Sequence, residues 1–98
     1  MTFRFHPEAA AEFDEATGYY ESQQTGLGLE FAEEVYAAIF RVLRFPDAGN
    51  PLSANTRRCL ANRFPYGIIY QAKPDGLRII AVANLHRRPG YWKHREHA

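Results

Sequence analysis

The sequence predicts an α+β fold, in which an N-terminal strand and a helical hairpin precede a three-stranded antiparallel meander with a short C-terminal tail or helix. Apolar residues recur at helical spacing through much of the first half and at every second position after Thr56. The dipeptide Asp75-Gly76 lies between two alternating runs, as in a β-hairpin. The chain has 98 residues and is 46% hydrophobic, which suffices for one core but not two. We therefore expect residues 1–98 to form a single domain.

The N-terminal half contains the predicted strand and both helices. Polar and apolar residues alternate from Thr2 to His6, and Pro7 is suited to the first turn of a helix. The first helix then carries an apolar stripe at Ala9, Phe13, Ala16 and Tyr20 and ends before Gly26. A second helix starts near Gly28 and stops at Pro46. Its apolar face consists of Phe31, Val35, Ala38, Val42 and Phe45, broadened by Ala32, Tyr36, Ile39 and Leu43. We expect Tyr19 and Tyr36 to lie in the core and residues 47–55 to be a loop.

The C-terminal half contains three runs with a period of two: RRCLANRF, PYGIIYQAK and LRIIAVANLH. A two-residue Asp-Gly turn pairs Pro74 with Leu77 and fixes the register of the last two strands. That register directs two sets of side chains toward the helices, namely Tyr66, Ile68, Tyr70 and Ala72 with Ile79, Ala81, Ala83 and Leu85. The opposite face carries Ile69, Gln71, Ile80 and Val82, with Lys73, Arg78 and His86 at its ends.

This opposite face is predicted to be open, because the two helices can cover only one side of the sheet. An exposed apolar strip beside arginines is typical of a groove that receives a partner's helix or strand. The alternative is that the C-terminal residues fold back and cover the strip.

The two halves of the chain have opposite charges. Residues 1–50 carry three Arg, no Lys and nine acidic residues, a net charge of −6. Residues 51–98 carry seven Arg, two Lys and two acidic residues, a net charge of +7. This asymmetry indicates either a polyanionic or acidic partner or simply acidic helices beside a basic sheet.

Most of the basic residues flank the predicted strands, where neighbouring strand ends can gather them. Guanidinium groups bind phosphate or carboxylate through two parallel hydrogen bonds, and aromatic side chains can stack on a base or anchor a protein interface. His86, beside two arginines, has the chemistry of a general acid or base, although a strand-end histidine bonded to backbone is the structural alternative. The predicted target-binding residues are Arg57, Arg58, Arg63, His86, Arg87, Arg88, Tyr91, Trp92 and Arg95.

The sequence predicts neither a metal site nor a cofactor site. Cys59 is the only cysteine, and His94 and His97 have no third ligand nearby in sequence. We see no glycine-rich phosphate loop and no nucleophile motif. The sequence also has no signal peptide pattern and no apolar run long enough to span a membrane, so we expect a cytoplasmic protein without a membrane partner.

The motifs FPDAG, RR, RFPYGIIY and LRIIAVANLHRRPGYW, in that order, make the chain resemble the RelE/ParE toxins of bacterial type II toxin–antitoxin systems. The Phe-Pro-Tyr entry to one strand and the His-Arg-Arg-Pro segment after the last are the most specific features. The resemblance implies a small toxin neutralised by a cognate, ParD-like antitoxin that wraps it. The antitoxin is then expected on the open face, at Ile69, Gln71, Arg78, Ile80, Val82 and Arg87.

The resemblance implies two kinds of target. ParE-like members inhibit DNA gyrase by binding it, and RelE-like members cut messenger RNA in the ribosome. The nucleases typically carry lysines on the strand after the helices, whereas this chain has only Lys73 and Lys93, so the ParE-like branch is favoured. A metal-independent endoribonuclease would use Arg63, His86, Arg87, Arg88 and Tyr91. A non-toxic family member that only binds the antitoxin is a further alternative.

Overall fold

A computed structural model describes residues 2–97 of the chain. Within that range, one sheet has two helices on one face and the C-terminal tail on the other. The strands are β1 (Thr2–Phe5), β2 (Asn50–Ser53), β3 (Thr56–Leu60), β4 (Tyr66–Lys73) and β5 (Gly76–Asn84). The helices are α1 (Pro7–Gln23), α2 (Leu27–Arg44) and a short 3-10 helix, Lys93–Arg95. The sheet order is β1-β5-β4-β3-β2, with β1 parallel to β5 and all other neighbours antiparallel. The predicted fold class is confirmed.

Helix α1 begins where the sequence predicts, and His6 forms its N-terminal cap. The Nδ1 atom of His6 accepts a hydrogen bond of 3.0 Å from the backbone amide of Glu8, and Pro7 occupies the first turn. Burial lowers the pKa of His6, and the positive charge of Arg78 acts in the same direction. The neutral imidazole is therefore the form that caps the helix.

Acid is expected to weaken the His6 cap. Because the pKa of His6 is lower in the folded protein than in the unfolded chain, the unfolded chain takes up the proton first. The neutral ring contributes its full stability at pH values above the pKa of histidine in the unfolded chain. That contribution is lost as the pH falls through the lower pKa of His6 in the folded protein. Between about pH 7.5 and pH 5, the Tm of the wild type should therefore decline more steeply than that of His6→Asn, whose amide oxygen caps without titrating. His86→Asn, at an exposed ring, is the control, and equal slopes for wild type and His6→Asn would contradict this role.

The main core lies between the helices and the sheet. The ring of Phe31, which is fully buried, packs against the rings of Phe13, Tyr20, Phe64 and Tyr66. These rings fill the space between the two layers. The expectation that Tyr19 and Tyr36 are core residues is wrong, because their exposed fractions are 59% and 38%. The core is closed without them, and both lie at its rim.

The segment 47–55, predicted as a loop, contains strand β2. Asn50 pairs with Arg58, and Pro51 with Arg57. Pro51 is tolerated because β2 is the edge strand of the sheet, where a missing amide can face away from the ladder. The prediction of a loop throughout this segment is therefore wrong, because residues typical of turns also form a short edge strand here.

The predicted register of the β4–β5 hairpin is wrong by two residues. Lys73 pairs with Gly76, so the turn residues are Pro74-Asp75 and not Asp75-Gly76. Gly76 has a φ of +141°, and any Cβ at this position would clash with the backbone of Thr2 on the neighbouring β1. The glycine is thus required both by its positive φ beside the turn and by the close approach of β1.

A bulge in β5 changes the faces on which later residues lie. Tyr70 pairs with Ile79 but Ile69 pairs with Ala81, which leaves Ile80 as an extra residue. Beyond the bulge, Val82 packs under the helices, whereas Ala81 and Ala83 lie on the opposite face, the reverse of the predicted pattern. Ile80 lies on the opposite face as predicted.

The opposite face is covered by the C-terminal tail, so the expectation of an open face is wrong. Trp92, with an exposed fraction of 6%, packs with Ile69, Ile80, Ala81 and Ala83 in a second apolar cluster. The end of the tail is held by Glu96, whose carboxylate accepts hydrogen bonds from the hydroxyls of Ser53 and Thr56. These hydrogen bonds lower the pKa of Glu96. The tail supplies the apolar surface that a partner was expected to bring.

Candidate functional site

A buried ion pair joins the tail to helix α1. It lies along the part of the β5 edge that β1 does not reach. Strand β1 ends at Phe5, whose partner is Ile79, so the edge beyond Ile79 pairs with no strand in the described chain. Arg95 donates a hydrogen bond of 3.0 Å to the carbonyl oxygen of Ile80. Glu12 accepts one of 3.0 Å from the amide of Val82. The two side chains therefore satisfy backbone groups that the bulge and the short β1 leave unpaired.

Glu12 and Arg95 also bind each other through two hydrogen bonds of 2.9 and 3.0 Å. Their side chains are 13% and 5% exposed. Burial disfavours the charge on Arg95, but the hydrogen bond with Glu12 and the negative charges of Glu12 and Glu8 together outweigh it, and the pKa of Arg95 is raised. The Nε atom of Arg95 lies 3.0 Å from a carboxylate oxygen of Glu8, without the alignment of a hydrogen bond. Arg95, predicted to bind a target, is thus an internal structural residue.

Tyr91 belongs to the same network. Its hydroxyl donates a hydrogen bond of 2.8 Å to Glu12, and the guanidinium of Arg87 lies 3.8 Å from the centroid of its ring. Burial raises the pKa of Tyr91, and the hydrogen bond to Glu12 raises it further. Arg87 is also 3.6 Å from the Glu12 carboxylate. The Tyr91 hydroxyl therefore stays protonated and engaged inside the protein.

Three arginines surround a small cavity on the tail side of the sheet, which we call the arginine pocket. Its volume is about 120 Å³, and the arginines are Arg58 from β3 with Arg87 and Arg88 from the segment after β5. Its apolar wall includes Ile69, Ala83, Leu85, Pro89 and Trp92. Gly67 allows the stem of Arg58 to cross β4, because a Cβ there would lie only 2.9 Å from the Arg58 Cδ atom.

The arginine pocket thus unites five of the nine predicted target-binding residues: Arg58, Arg87, Arg88, Tyr91 and Trp92. Arg57 points to the other side, where it donates to the carbonyl oxygens of Asp47 and Gly49. Arg63 forms a salt bridge of 2.7 Å with Glu30 of α2, which raises the pKa of Arg63. His86 is exposed outside the pocket lining. The structure therefore does not assemble the five residues of the predicted nuclease site.

The predicted antitoxin-binding residues are mostly inaccessible. Ile69, Gln71 and Ile80 are buried beneath the tail, and Val82 is buried under the helices. Arg78 donates to the carbonyl oxygen of Arg95. Arg87 alone of the six is exposed. The assignment of these residues depended on the open face and on the predicted register, and neither is present.

A different apolar surface is exposed on α2. Leu29, Tyr36 and Phe40 have exposed fractions of 66%, 38% and 52%, and the ring of Phe40 contacts that of Phe3 on β1. The sequence contains the signal for this stripe, because these residues lie on one face of the helix at positions i, i+7 and i+11. This stripe is missing from the sequence-based prediction because that prediction assigns Tyr36 to the core face of the same helix.

The described part of the chain has neither a metal-binding cluster nor a membrane-spanning helix. Residues 2–97 contain no group of three or more His, Cys, Asp or Glu side chains arranged to hold a metal ion. Neither long helix in that range combines the length and apolar character of a membrane span.

Comparisons with known proteins identify the family. No curated protein matches the sequence. Among solved structures, the chain is similar to one described as the chromosomal ParDE TA system from P. aeruginosa, with a TM-score of 0.73 and 18% identity over 88% of this chain and 97% of the other. Residues 3–91 match the family model described as the ParE toxin of the type II toxin-antitoxin system, parDE. The resemblance and the favoured branch are confirmed, and the chain belongs to the ParE toxin family of type II toxin–antitoxin systems.

Proposed function

We propose that the protein is a toxin that arrests growth by binding DNA gyrase, and that an antitoxin neutralises it in the cytoplasm. The observation that supports this proposal best is the arginine pocket, in which three guanidinium groups surround an apolar cavity at the protein surface. Arginines beside an apolar cavity are suited to a protein interface, in which an anchor side chain is buried and its charged neighbours are paired.

The same geometry argues against RNA cleavage by this chain. General acid–base catalysis needs a proton donor or acceptor that can reach the substrate. The Tyr91 hydroxyl is already bonded to Glu12, and Arg63 is paired with Glu30 away from the pocket. The ring of His86 has no hydrogen-bond partner in the described chain that would orient it. Protein binding therefore requires fewer changes to this structure than catalysis.

Two assays on the same induced culture test the target. We expect plasmid supercoiling by gyrase to be lost after induction, while primer extension shows intact messenger RNA. Purified protein should likewise inhibit purified gyrase. Codon-specific cuts in messenger RNA with normal supercoiling would contradict the proposal in favour of the endoribonuclease alternative. Unaffected growth would contradict toxicity itself.

We further propose that the antitoxin covers the exposed stripe of α2. The stripe offers Leu29, Tyr36 and Phe40 as apolar anchors beside the acidic Glu33, and β1 with its free edge lies next to it. An amphipathic helix followed by an extended segment suits these two features. This proposal moves the antitoxin from the sheet face, where the sequence predicted it, to the helical hairpin.

Truncating the stripe should weaken antitoxin binding without removing toxicity. We expect Phe40→Ser to lower antitoxin affinity by about tenfold or more, equivalent to about 1.4 kcal/mol, because the exposed ring is a typical interface anchor. Tyr19→Ser, at an exposed aromatic residue on α1, serves as the control and should change affinity less than about threefold. Isothermal titration calorimetry with the cognate antitoxin measures both. Equal affinities for the two variants would exclude the stripe from the interface.

A further inference from the structure

We propose that the arginine pocket recognises an acidic peptide segment of the toxin's target, which inserts one apolar side chain into the cavity and pairs its flanking carboxylates with Arg58 and Arg88. This inference rests on the proposed function, since it specifies which chemistry the target presents. It assigns the specificity of the site to a short linear segment rather than to nucleic acid.

The charge on the rim is available for a ligand. Among residues 2–97, the guanidinium groups of Arg58 and Arg88 have no hydrogen bond or ion pair, in contrast to those of Arg57, Arg63 and Arg95. The Nε atom of Arg58 is buried and has no hydrogen-bond acceptor. A buried donor without an acceptor is unfavourable in the free protein, and a partner's carboxylate satisfies it once the Arg58 side chain turns outward toward the ligand.

The interior of the pocket suits a single apolar side chain. A volume of about 120 Å³ corresponds to about four water-sized groups, which is the number of carbons in a leucine side chain. The apolar part of the wall includes Ile69, Ala83, Leu85, Pro89 and Trp92. Insertion of an apolar anchor therefore adds burial of apolar surface to the pairing of charges at the rim.

The aromatic residues of the pocket do not suit a nucleobase. Binding of single-stranded nucleic acid relies on aromatic rings whose faces are free to stack on bases. Trp92 is 6% exposed because its ring is packed on the sheet, and the face of Tyr91 is covered by Arg87. The observations therefore favour a carboxylate-bearing peptide over a phosphate-bearing strand.

The fluorescence of Trp92, the only tryptophan in the chain, provides a local readout of the pocket. The probes are a peptide with four carboxylates around one leucine, the same peptide with serine for leucine, and an oligothymidylate of equal charge. We expect the leucine peptide to shift the emission of Trp92 and to bind about tenfold or more tightly than either other probe. Stronger binding of the oligothymidylate, or equal binding of the serine peptide, would overturn the proposal.

Three variants, each lacking one positive charge, test whether the leucine peptide binds at the arginine pocket. Arg58→Gln and Arg88→Gln should each weaken the leucine peptide by about tenfold. Arg44→Gln is the matched control, since Arg44 lies in the last turn of α2 outside the pocket lining. The affinity of this variant for the leucine peptide should stay within about twofold of the wild-type affinity. Circular dichroism confirms that all three fold. Equal losses for all three variants would reduce the effect to net charge and overturn the proposal.

The same variants in a supercoiling assay separate this inference from the proposed function. If wild-type protein inhibits gyrase and the Arg58→Gln, Arg88→Gln double variant does not, both are supported. Inhibition by wild type and double variant alike supports gyrase as the target and overturns the role of the pocket. Peptide binding with the expected specificity but no inhibition of gyrase supports the chemistry of the pocket and overturns the proposed target.

Discussion

Replacing Glu12 with alanine is expected to destabilise the protein by about 3–5 kcal/mol, because it removes the buried partner of Arg95 and leaves only the half-exposed carboxylate of Glu8 near that charge. The carboxylate of Glu12 accepts hydrogen bonds from Arg95, the Tyr91 hydroxyl and the Val82 amide. All three donors are at least partly buried, so water replaces the lost bonds poorly. Chemical denaturation of wild type and variant measures the change.

The control for Glu12→Ala is Glu15→Ala, at an exposed glutamate on the same helix, and it should change the free energy of unfolding by less than about 0.5 kcal/mol. A double-mutant cycle with Arg95→Met isolates the pair. The double variant should be more stable than Glu12→Ala alone, because no buried guanidinium is left unpaired. If Glu12→Ala and Glu15→Ala are equally mild, the tail is not anchored as the structure describes.

Replacing Trp92 with alanine is the second change with a large expected effect, also about 3–5 kcal/mol. The indole covers Ile69, Ile80 and Ala81, which are almost completely buried on the sheet. Its removal leaves a cavity and admits water to the face that the tail covers. The measurement is the free energy of unfolding from urea titration, followed by circular dichroism.

Trp92→Phe is the matched control, since it keeps an aromatic ring at this position, and it should cost clearly less than the alanine variant. Because Trp92 also belongs to the wall of the arginine pocket, the comparison of the two variants uses the free energy of unfolding and not toxicity. A stable Trp92→Ala variant would mean that the face can remain uncovered in solution, as the sequence led us to expect.

The features that the sequence predicts well are governed by local periodicity. Helix α1 was predicted from Pro7, and its buried stripe contains Ala9, Phe13 and Ala16 as expected. Helix α2 ends just before Pro46 because proline cannot continue the helix. Each of these features depends on residues within one or two turns of one another, so tertiary context has little opportunity to override them.

The features that the sequence does not predict depend on contacts between distant segments. The β4–β5 turn forms at Pro74-Asp75, and Gly76 is instead used where β1 approaches closely. The bulge at Ile80 reverses the faces of Ala81, Val82 and Ala83, and no pattern within β5 marks where it falls. The backbone groups at this edge are satisfied by Glu12 and Arg95, which come from opposite parts of the chain.

The side chains that share the arginine pocket are neighbours in sequence only in part. Arg87, Arg88, Tyr91 and Trp92 come from one segment, whereas Arg58 reaches the pocket from β3. Composition could not distinguish these arginines from Arg63 and Arg95, whose charges are satisfied internally by Glu30 and Glu12. The acidic half of the chain supplies both of these internal partners.

The parallel pairing of β1 with β5 determines the order in which a newly made chain can become complete. Thr2 leaves the ribosome long before its partner Gly76 and the tail that covers the sheet. A nascent chain therefore holds an unpaired first strand, and it lacks the Arg87–Trp92 wall of the pocket, until more than seventy further residues have been translated. The sheet thus closes in a late, cooperative step that joins the two ends of the domain, which makes the nascent chain dependent on its last strand and tail for protection against aggregation.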